Sequence, residues 1–173
     1  EIANSDWSSD VCSSDLIIRE DMLDRVVRDL PTMVAFRTHV ENGSMFNTPP
    51  VFPIYVLMET LRWLKSIGGV PEIYRRNKEK AALLYDEIDR NPLFRGTVDK
   101  QDRSLMNICF VMADGYEELA PEFMEFTKER GIVGIKGHRL VGGFRASCYN
   151  ALPIESVRVL VECMQEFAAK HAK

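Results

Sequence analysis

The sequence is poor in the features that mark several large classes of protein. It has four cysteines in 173 residues and no Cys-x-x-Cys pair, so neither a zinc site nor a disulfide framework is expected and a reducing cytoplasm fits best. No apolar run is long enough to span a membrane, and no basic segment followed by an apolar one suggests a secretory signal. Basic residues are not in excess, since 22 Lys and Arg stand against 26 Asp and Glu, which argues against a nucleic-acid partner.

Short catalytic motifs are also missing. The sequence has no Gly-x-Ser-x-Gly elbow, no phosphate-binding P-loop and no Gly-x-Gly-x-x-Gly fingerprint. What it does have is 46% hydrophobic and 28% charged residues, a balance that predicts a packed core rather than global disorder. The length of 173 residues suits one domain, or one domain with an appendage.

The first 15 residues differ in texture from the rest, because they repeat Ser-Ser-Asp with no helical or strand period. Ser and Asp bury too little apolar area to offset the entropy of ordering, so the segment is interpreted as a disordered leader. The favoured interpretation is that it is not native, because it resembles a translated sequencing adapter. Both interpretations exclude residues 1–15 from the fold.

Hydrophobic periodicity and breakers predict the order helix, helix, strand, helix, strand, strand, helix. The first long helix begins near Pro49 and ends at Gly68-Gly69, and its first half is apolar on nearly every side, which predicts burial on more than one face. The other predicted elements are a strand end over 16–20, a short turn or helix within 21–41, helices over 71–90, over 119–130 and from Pro153, and strands over 104–112, 132–135 and 143–148. This order indicates an α/β or α+β sandwich, a small sheet with helices packed against it.

Two polar segments are not explained by periodicity. Asn47 and Thr48 precede the long helix, whose free N–H groups and dipole can hold a phosphate, although spacing alone favours ordinary helix capping. The second segment contains His138, Arg139 and Arg145 in a glycine-rich setting. Arginine pairs with carboxylate or phosphate as a bidentate fork, but composition alone leaves a hairpin with surface cations as an equal alternative.

At these two segments the sequence resembles the phosphoserine aminotransferases, fold-type I enzymes of the class-V aminotransferase group. The resemblance covers about residues 16–173, and its matching stretches occur in the order and spacing of the family. They are Asn42-Gly-Ser-Met-Phe-Asn-Thr-Pro-Pro50, Trp63-Leu-Lys-Ser-Ile-Gly-Gly-Val70, Arg103-Ser-Leu-Met-Asn107 and Lys136-Gly-His-Arg-Leu-Val-Gly-Gly-Phe-Arg-Ala-Ser-Cys-Tyr-Asn-Ala-Leu-Pro153.

The resemblance implies a homodimer that holds pyridoxal 5'-phosphate between two subunits, with Asn47 and Thr48 reaching the cofactor phosphate of the other subunit. It implies that Arg145 grips the α-carboxylate of the substrate, and that His138 and Arg139 contact its phosphate. The implied reaction exchanges an amino group between 3-phosphohydroxypyruvate and glutamate, giving phosphoserine and 2-oxoglutarate, in L-serine biosynthesis and in some members also in vitamin B6 synthesis.

On the same resemblance, residues 16–48 are the end of the large cofactor-binding domain, and residues 49–173 are the connecting helix and the small C-terminal domain. The Schiff-base lysine of the family would lie just upstream of Leu16, where this sequence has the Ser/Asp segment, and no lysine precedes Lys65. We therefore expect a C-terminal fragment that is inactive alone. Two alternatives stay open, a non-catalytic module that binds phosphorylated acids and another class-V aminotransferase.

Overall fold

A computed structural model describes residues 18–139 and 142–171. The chain forms two compact units, of which the first ends at Trp63 and the second begins at Leu64. The leader and the start of the predicted strand end lie outside the described residues. The domain division that the resemblance implies stays a prediction. In the described part of the chain, no helix is long and apolar enough to cross a membrane.

The first unit consists of short helical segments followed by one long helix. Where the strand end was predicted, Ile18 and Arg19 have no regular structure and a 3-10 helix begins at Glu20, so that prediction is wrong for the residues described. The chain turns there, because the Met22 N–H donates to the Arg19 carbonyl over 3.0 Å. The elements of this unit are 3-10 helices at Glu20–Arg25 and Thr32–Val34, α1 at Phe36–Glu41, and α2 at Val51–Ser66, whose last residues belong to the second unit.

Helix α2 exposes the apolar side chains that its sequence suggested would be buried. None of its residues is buried, and Phe52, for example, is 76% exposed. The burial expected on more than one face is therefore not supplied by the described part of this chain. A contiguous exposed apolar surface of this kind is typical of protein–protein interfaces.

The second unit is built on a small antiparallel sheet, so the α+β form of the predicted sandwich is the one observed. Its strands are β1 at Phe94–Gly96, β2 at Asn107–Met112 and β3 at Phe144–Ser147, in the order β1-β2-β3. Its helices are α3 at Gly69–Arg90, α4 at Ala120–Glu129 and α5 at Ile154–His171. A further 3-10 helix at Lys100–Asp102 precedes β2, and another at Glu117–Leu119 leads into α4.

The observed strands differ from the predicted ones in two places. The short strand β1 was missed, and the strand predicted over 132–135 is not found, although Lys136 forms an isolated bridge with Phe144. The reason is local backbone geometry. Gly131 and Gly134 have φ angles of +75° and +78°, a left-handed conformation that interrupts an extended chain.

The core lies between one face of the sheet and the three helices. Alternation along β2 and β3 turns Phe110 and Phe144 to this face, where both are almost fully buried. The ring of Phe123 on α4 lies at its centre, with its centroid 5.1 Å from that of Phe144 and 5.1 Å from that of Phe167 on α5. The apolar stripes predicted for α3 and α5 face this cluster.

Helix α3 is also joined to α5 through a buried carboxylate. Glu87 is 2% exposed and accepts hydrogen bonds from Gln165 and Asn91, each at 2.8 Å. Burial raises the pKa of Glu87, but the hydrogen bonds from Gln165, Asn91 and Arg90 outweigh it, so the pKa lies below its usual value. The carboxylate therefore stays charged and fixes how the two helices meet.

A second carboxylate of α3 anchors the segment before β2. Asp89 accepts two hydrogen bonds from Arg103, at 2.6 and 2.9 Å, and pairs with Lys100 at 3.1 Å. The hydrogen bonds from Arg103 lower the pKa of Asp89 to about 2. Arg103 also stacks on Tyr85, with its guanidinium carbon 4.5 Å from the ring centroid.

We expect Phe123→Ala to lower the free energy of unfolding by about 3 to 5 kcal/mol, because it leaves a cavity that the neighbouring aromatic rings cannot move to fill. Chemical denaturation of the chain checks this. Val159→Ala, at a position 42% exposed on α5, is the control and should change stability by less than about 1 kcal/mol. Equal effects of the two substitutions would contradict the assignment of the core.

We expect Asp89→Asn to remove a pH-dependent part of the stability. Because the pKa of Asp89 is lowered to about 2 in the folded chain, its contribution is complete above about pH 4 and is lost as the pH falls toward 2. Solvent screening limits it to about 1 kcal/mol. Urea titrations at several pH values should therefore show wild type and variant converging over this range, with Asp86→Asn as a control for loss of charge on the same helix.

Candidate functional site

A tight glycine-rich hairpin leads into β3 and carries two of the predicted phosphate-binding residues. The Gly137 N–H donates to the Gly143 carbonyl over 2.8 Å, and the Gly142 N–H donates to the His138 carbonyl over 2.7 Å. A Cβ at Gly137 would lie 2.0 Å from the Gly142 oxygen, so the hairpin closes this way only with glycine there. His138 and Arg139 lie exposed in its loop.

Arg145 lies on the half-buried face of the sheet, across from Cys109 in β2. Its backbone N–H donates to the Ile135 carbonyl over 2.7 Å. Its side-chain Nε is buried and has no hydrogen-bond partner among the described residues. Leaving a buried donor without an acceptor costs free energy, so this nitrogen favours the binding of an anion.

Arg145 borders a cavity of about 350 Å³. The wall also includes Ser147 from β3, Ser156 from α5 and residues 131–135. Pockets for small molecules begin at about this size. Among the described residues, neither His138 nor Arg139 belongs to this wall, so the structure places the three predicted residues close together in the chain but only Arg145 at the border of the cavity.

Asn47 and Thr48 belong to the first unit and are exposed just before α2. Within the described residues neither side chain makes a hydrogen bond, so capping of α2 by these side chains is not observed. Backbone donors are scarce here, since Pro49 and Pro50 have no N–H and the Val51 N–H donates to the Pro49 carbonyl over 2.8 Å. A phosphate at this place would be held mainly by the Asn47 amide and the Thr48 hydroxyl.

Sequence reasoning missed a buried lysine beneath the turn that follows β3. Lys80 on α3 is 2% exposed, and its Nζ donates to the carbonyl oxygens of Tyr149, Leu152 and Cys148 at 2.6, 3.1 and 3.2 Å. Burial lowers the pKa of this ammonium group below its usual value.

Asn77, one turn earlier on α3, binds the same turn. It is 6% exposed, and its Nδ2 donates to Oδ1 of Asn150 over 2.8 Å. The sequence did contain a signal for both residues, because Asn77 and Lys80 continue the three- and four-residue spacing of the apolar stripe from Ile73 to Ala81. Polar groups in a buried stripe require partners, and the Asn77 Nδ2 and the Lys80 ammonium find theirs in a distant part of the chain, while the Asn77 Oδ1 has none among the described residues.

Comparison with known proteins identifies the family. The family model described as "Aminotransferase class-V" matches residues 16–160. The chain is 60% identical over 157 residues to a phosphoserine aminotransferase of Phocaeicola vulgatus and 60% identical over 156 residues to one of Bacteroides thetaiotaomicron. Both matches cover 90% of this chain and 44% of the relative, so the chain spans less than half the length of these relatives.

Solved structures agree with the sequence match. A phosphoserine aminotransferase from Bacillus circulans subsp. alkalophilus has a TM-score of 0.81 and 45% identity, over 90% of this chain and 43% of its own. A phosphoserine aminotransferase with bound PLP, from Trichomonas vaginalis, has a TM-score of 0.76 and 42% identity, over 86% and 42% of the two chains. The resemblance at the two polar segments is thereby confirmed, and the chain belongs to the class-V aminotransferases.

Proposed function

We propose that this chain is the C-terminal part of a pyridoxal 5'-phosphate-dependent phosphoserine aminotransferase. The observation that carries the proposal is the buried Nε of Arg145, which lacks an acceptor among the described residues and borders a cavity of about 350 Å³. An amino-acid α-carboxylate supplies that acceptor and suits the planar fork of a guanidinium. Relatives that are 60% identical carry this name.

In the proposed reaction the amino group of glutamate takes the place of the keto oxygen of 3-phosphohydroxypyruvate, giving phosphoserine and 2-oxoglutarate. Arg145 binds the α-carboxylate common to all four compounds and so orients the carbon that reacts. His138 and Arg139 bind the phosphate, because a dianion needs hydrogen-bond donors and positive charge, and both side chains are exposed in the hairpin loop. When bound, the cofactor supplies the electron sink for charge that develops at the α-carbon.

The residues present fit one part of the cofactor. Asn47 and Thr48 offer an amide and a hydroxyl that are exposed and uncommitted within the described residues, which suits the cofactor phosphate. Lys80 does not suit the role of the cofactor lysine, because its ammonium group is buried against three carbonyls. We place that lysine in the part of the relatives' length that this chain does not span.

The proposal is tested in a chimera in which residues 18–173 replace the matching part of the Phocaeicola vulgatus enzyme. We expect the chimera, and not the isolated chain, to transfer the amino group of glutamate to 3-phosphohydroxypyruvate. Arg145→Gln should lower kcat/KM for this substrate and for hydroxypyruvate alike, by about 10- to 100-fold, since both have the carboxylate. Arg139→Gln should lower kcat/KM for the phosphorylated substrate alone. Formation of 2-oxoglutarate is the measurement.

Arg158→Gln, at an exposed position of α5, is the matched control and should leave both substrates unaffected. A folded, cofactor-loaded chimera without turnover contradicts the proposal. If that chimera fails while the isolated chain binds 3-phosphohydroxypyruvate, the non-catalytic module is favoured. Equal turnover of hydroxypyruvate and its phosphorylated form indicates another class-V aminotransferase.

We also propose that a second copy of the chain covers α2, as expected for a homodimer. The support is the exposure of apolar side chains along the helix, such as Phe52 at 76% and Leu61 at 54%. We expect sedimentation velocity to show self-association that Phe52→Glu and Leu61→Glu weaken. Thr60→Glu adds the same charge to α2 and is the control. A monodisperse wild-type monomer that unfolds cooperatively would count against this assembly.

A further inference from the structure

Side chains of helix α3 donate hydrogen bonds to the turn between β3 and α5. Three of its carbonyls accept hydrogen bonds from Lys80, and the side chain of Asn150 accepts one from Asn77. We call this set of contacts the α3 latch. Lys80 and Asn77 are 2% and 6% exposed, so both donors act away from water.

Packing alone does not explain a lysine at this position. A charged ammonium loses much of its hydration on burial, and an apolar side chain of similar length would fill the same space without that cost. The lowered pKa of Lys80 agrees with a net penalty for the charge. What the ammonium group alone provides is three directed hydrogen bonds, which define the path of a turn that has no regular secondary structure.

The α3 latch binds residues that line the cavity bordered by Arg145. Cys148 and Leu152, two of the residues whose carbonyls bind Lys80, line its wall. Cys148 also continues the sheet beyond β3, since its N–H donates to the Met106 carbonyl over 2.7 Å. Pairing with β2 and the bond to Ile135 hold the strand at Arg145, while Lys80 binds the carbonyl of Cys148, the first residue after the strand.

We propose that Lys80, assisted by Asn77, is a positioning residue that fixes the orientation of the Arg145 side chain at the border of the cavity before an anion binds. The identity of that anion as an α-carboxylate rests on the proposed function. The positioning itself does not, because it concerns only contacts within this chain. A guanidinium site that is already ordered binds an anion more tightly, because no free energy is spent on ordering the surrounding residues when the anion binds.

The test compares wild type with Lys80→Met in the 173-residue chain by NMR. The Arg145 Nε–Hε signal is identified by its loss in Arg145→Lys. We expect Lys80→Met to shift this signal and to raise hydrogen exchange at the Cys148 and Leu152 amides by at least about tenfold. Lys78→Met, at an exposed position of the same helix, should change neither.

Two further variants separate positioning from loss of stability. Lys80→Gln keeps N–H donors on a shorter side chain and should restore the Arg145 signal in part. Asn77→Ala removes only the bond to Asn150, and we expect a smaller shift in the same direction. If Lys80→Met fails to fold, Asn77→Ala and Lys80→Gln decide the question. An Arg145 signal that stays at its wild-type position in the folded variants overturns the proposal.

The active chimera supplies a second readout. There, Lys80→Met should raise KM for glutamate by at least about fivefold while kcat changes by less than about threefold, because binding of the carboxylate is weakened and the chemistry is not. A matching fall in kcat with unchanged KM overturns positioning. If the wild-type chimera is inactive, the proposed function fails, and the NMR comparison still decides the role of the latch.

Discussion

In the second unit, one buried ammonium group donates hydrogen bonds to three carbonyls, and these bonds join helix α3 to the turn between β3 and α5. Lys80 on α3 holds the turn from which α5 begins, and seven residues later Glu87 holds Gln165 toward the far end of α5. Apolar side chains between these two points supply most of the favourable free energy. The polar contacts determine how the helices are aligned. Hydrogen bonds require a narrow range of distances and angles, whereas apolar packing tolerates several alignments.

The same strand builds both core and site. In β3, Phe144 and Ala146 face the helices, while Arg145 and Ser147 face the other way. A strand alternates sides at every residue, so rigid burial of Phe144 directly determines where the backbone of Arg145 lies. The charged group thus rests on a packed strand rather than on a mobile loop, which suits a residue proposed to bind a substrate with fixed orientation.

Much of the fold was predictable from local patterns, and the failures have local explanations. The helices of the second unit were predicted to within a few residues, because each combines an apolar stripe with Gly or Pro boundaries. The strand expected over 132–135 failed because a glycine before it and a glycine within it adopt positive φ, and β1 was missed because three residues are too few to show a period. Lys80 was missed because a charged residue within an apolar stripe is ordinarily taken as solvent-facing.

The sequence by itself determined the helices of the second unit, because these depend on residue identity and spacing along one segment. Through its resemblance to a known family it also indicated the family and the residues proposed to bind phosphate and carboxylate. Only the tertiary structure decided that, within the described residues, Arg145 has a buried nitrogen without an acceptor and α2 has no buried residue, and that Lys80 bonds to a turn about 70 residues away. Each of these depends on contacts between segments distant in the chain, and no local pattern encodes the free energy of such contacts.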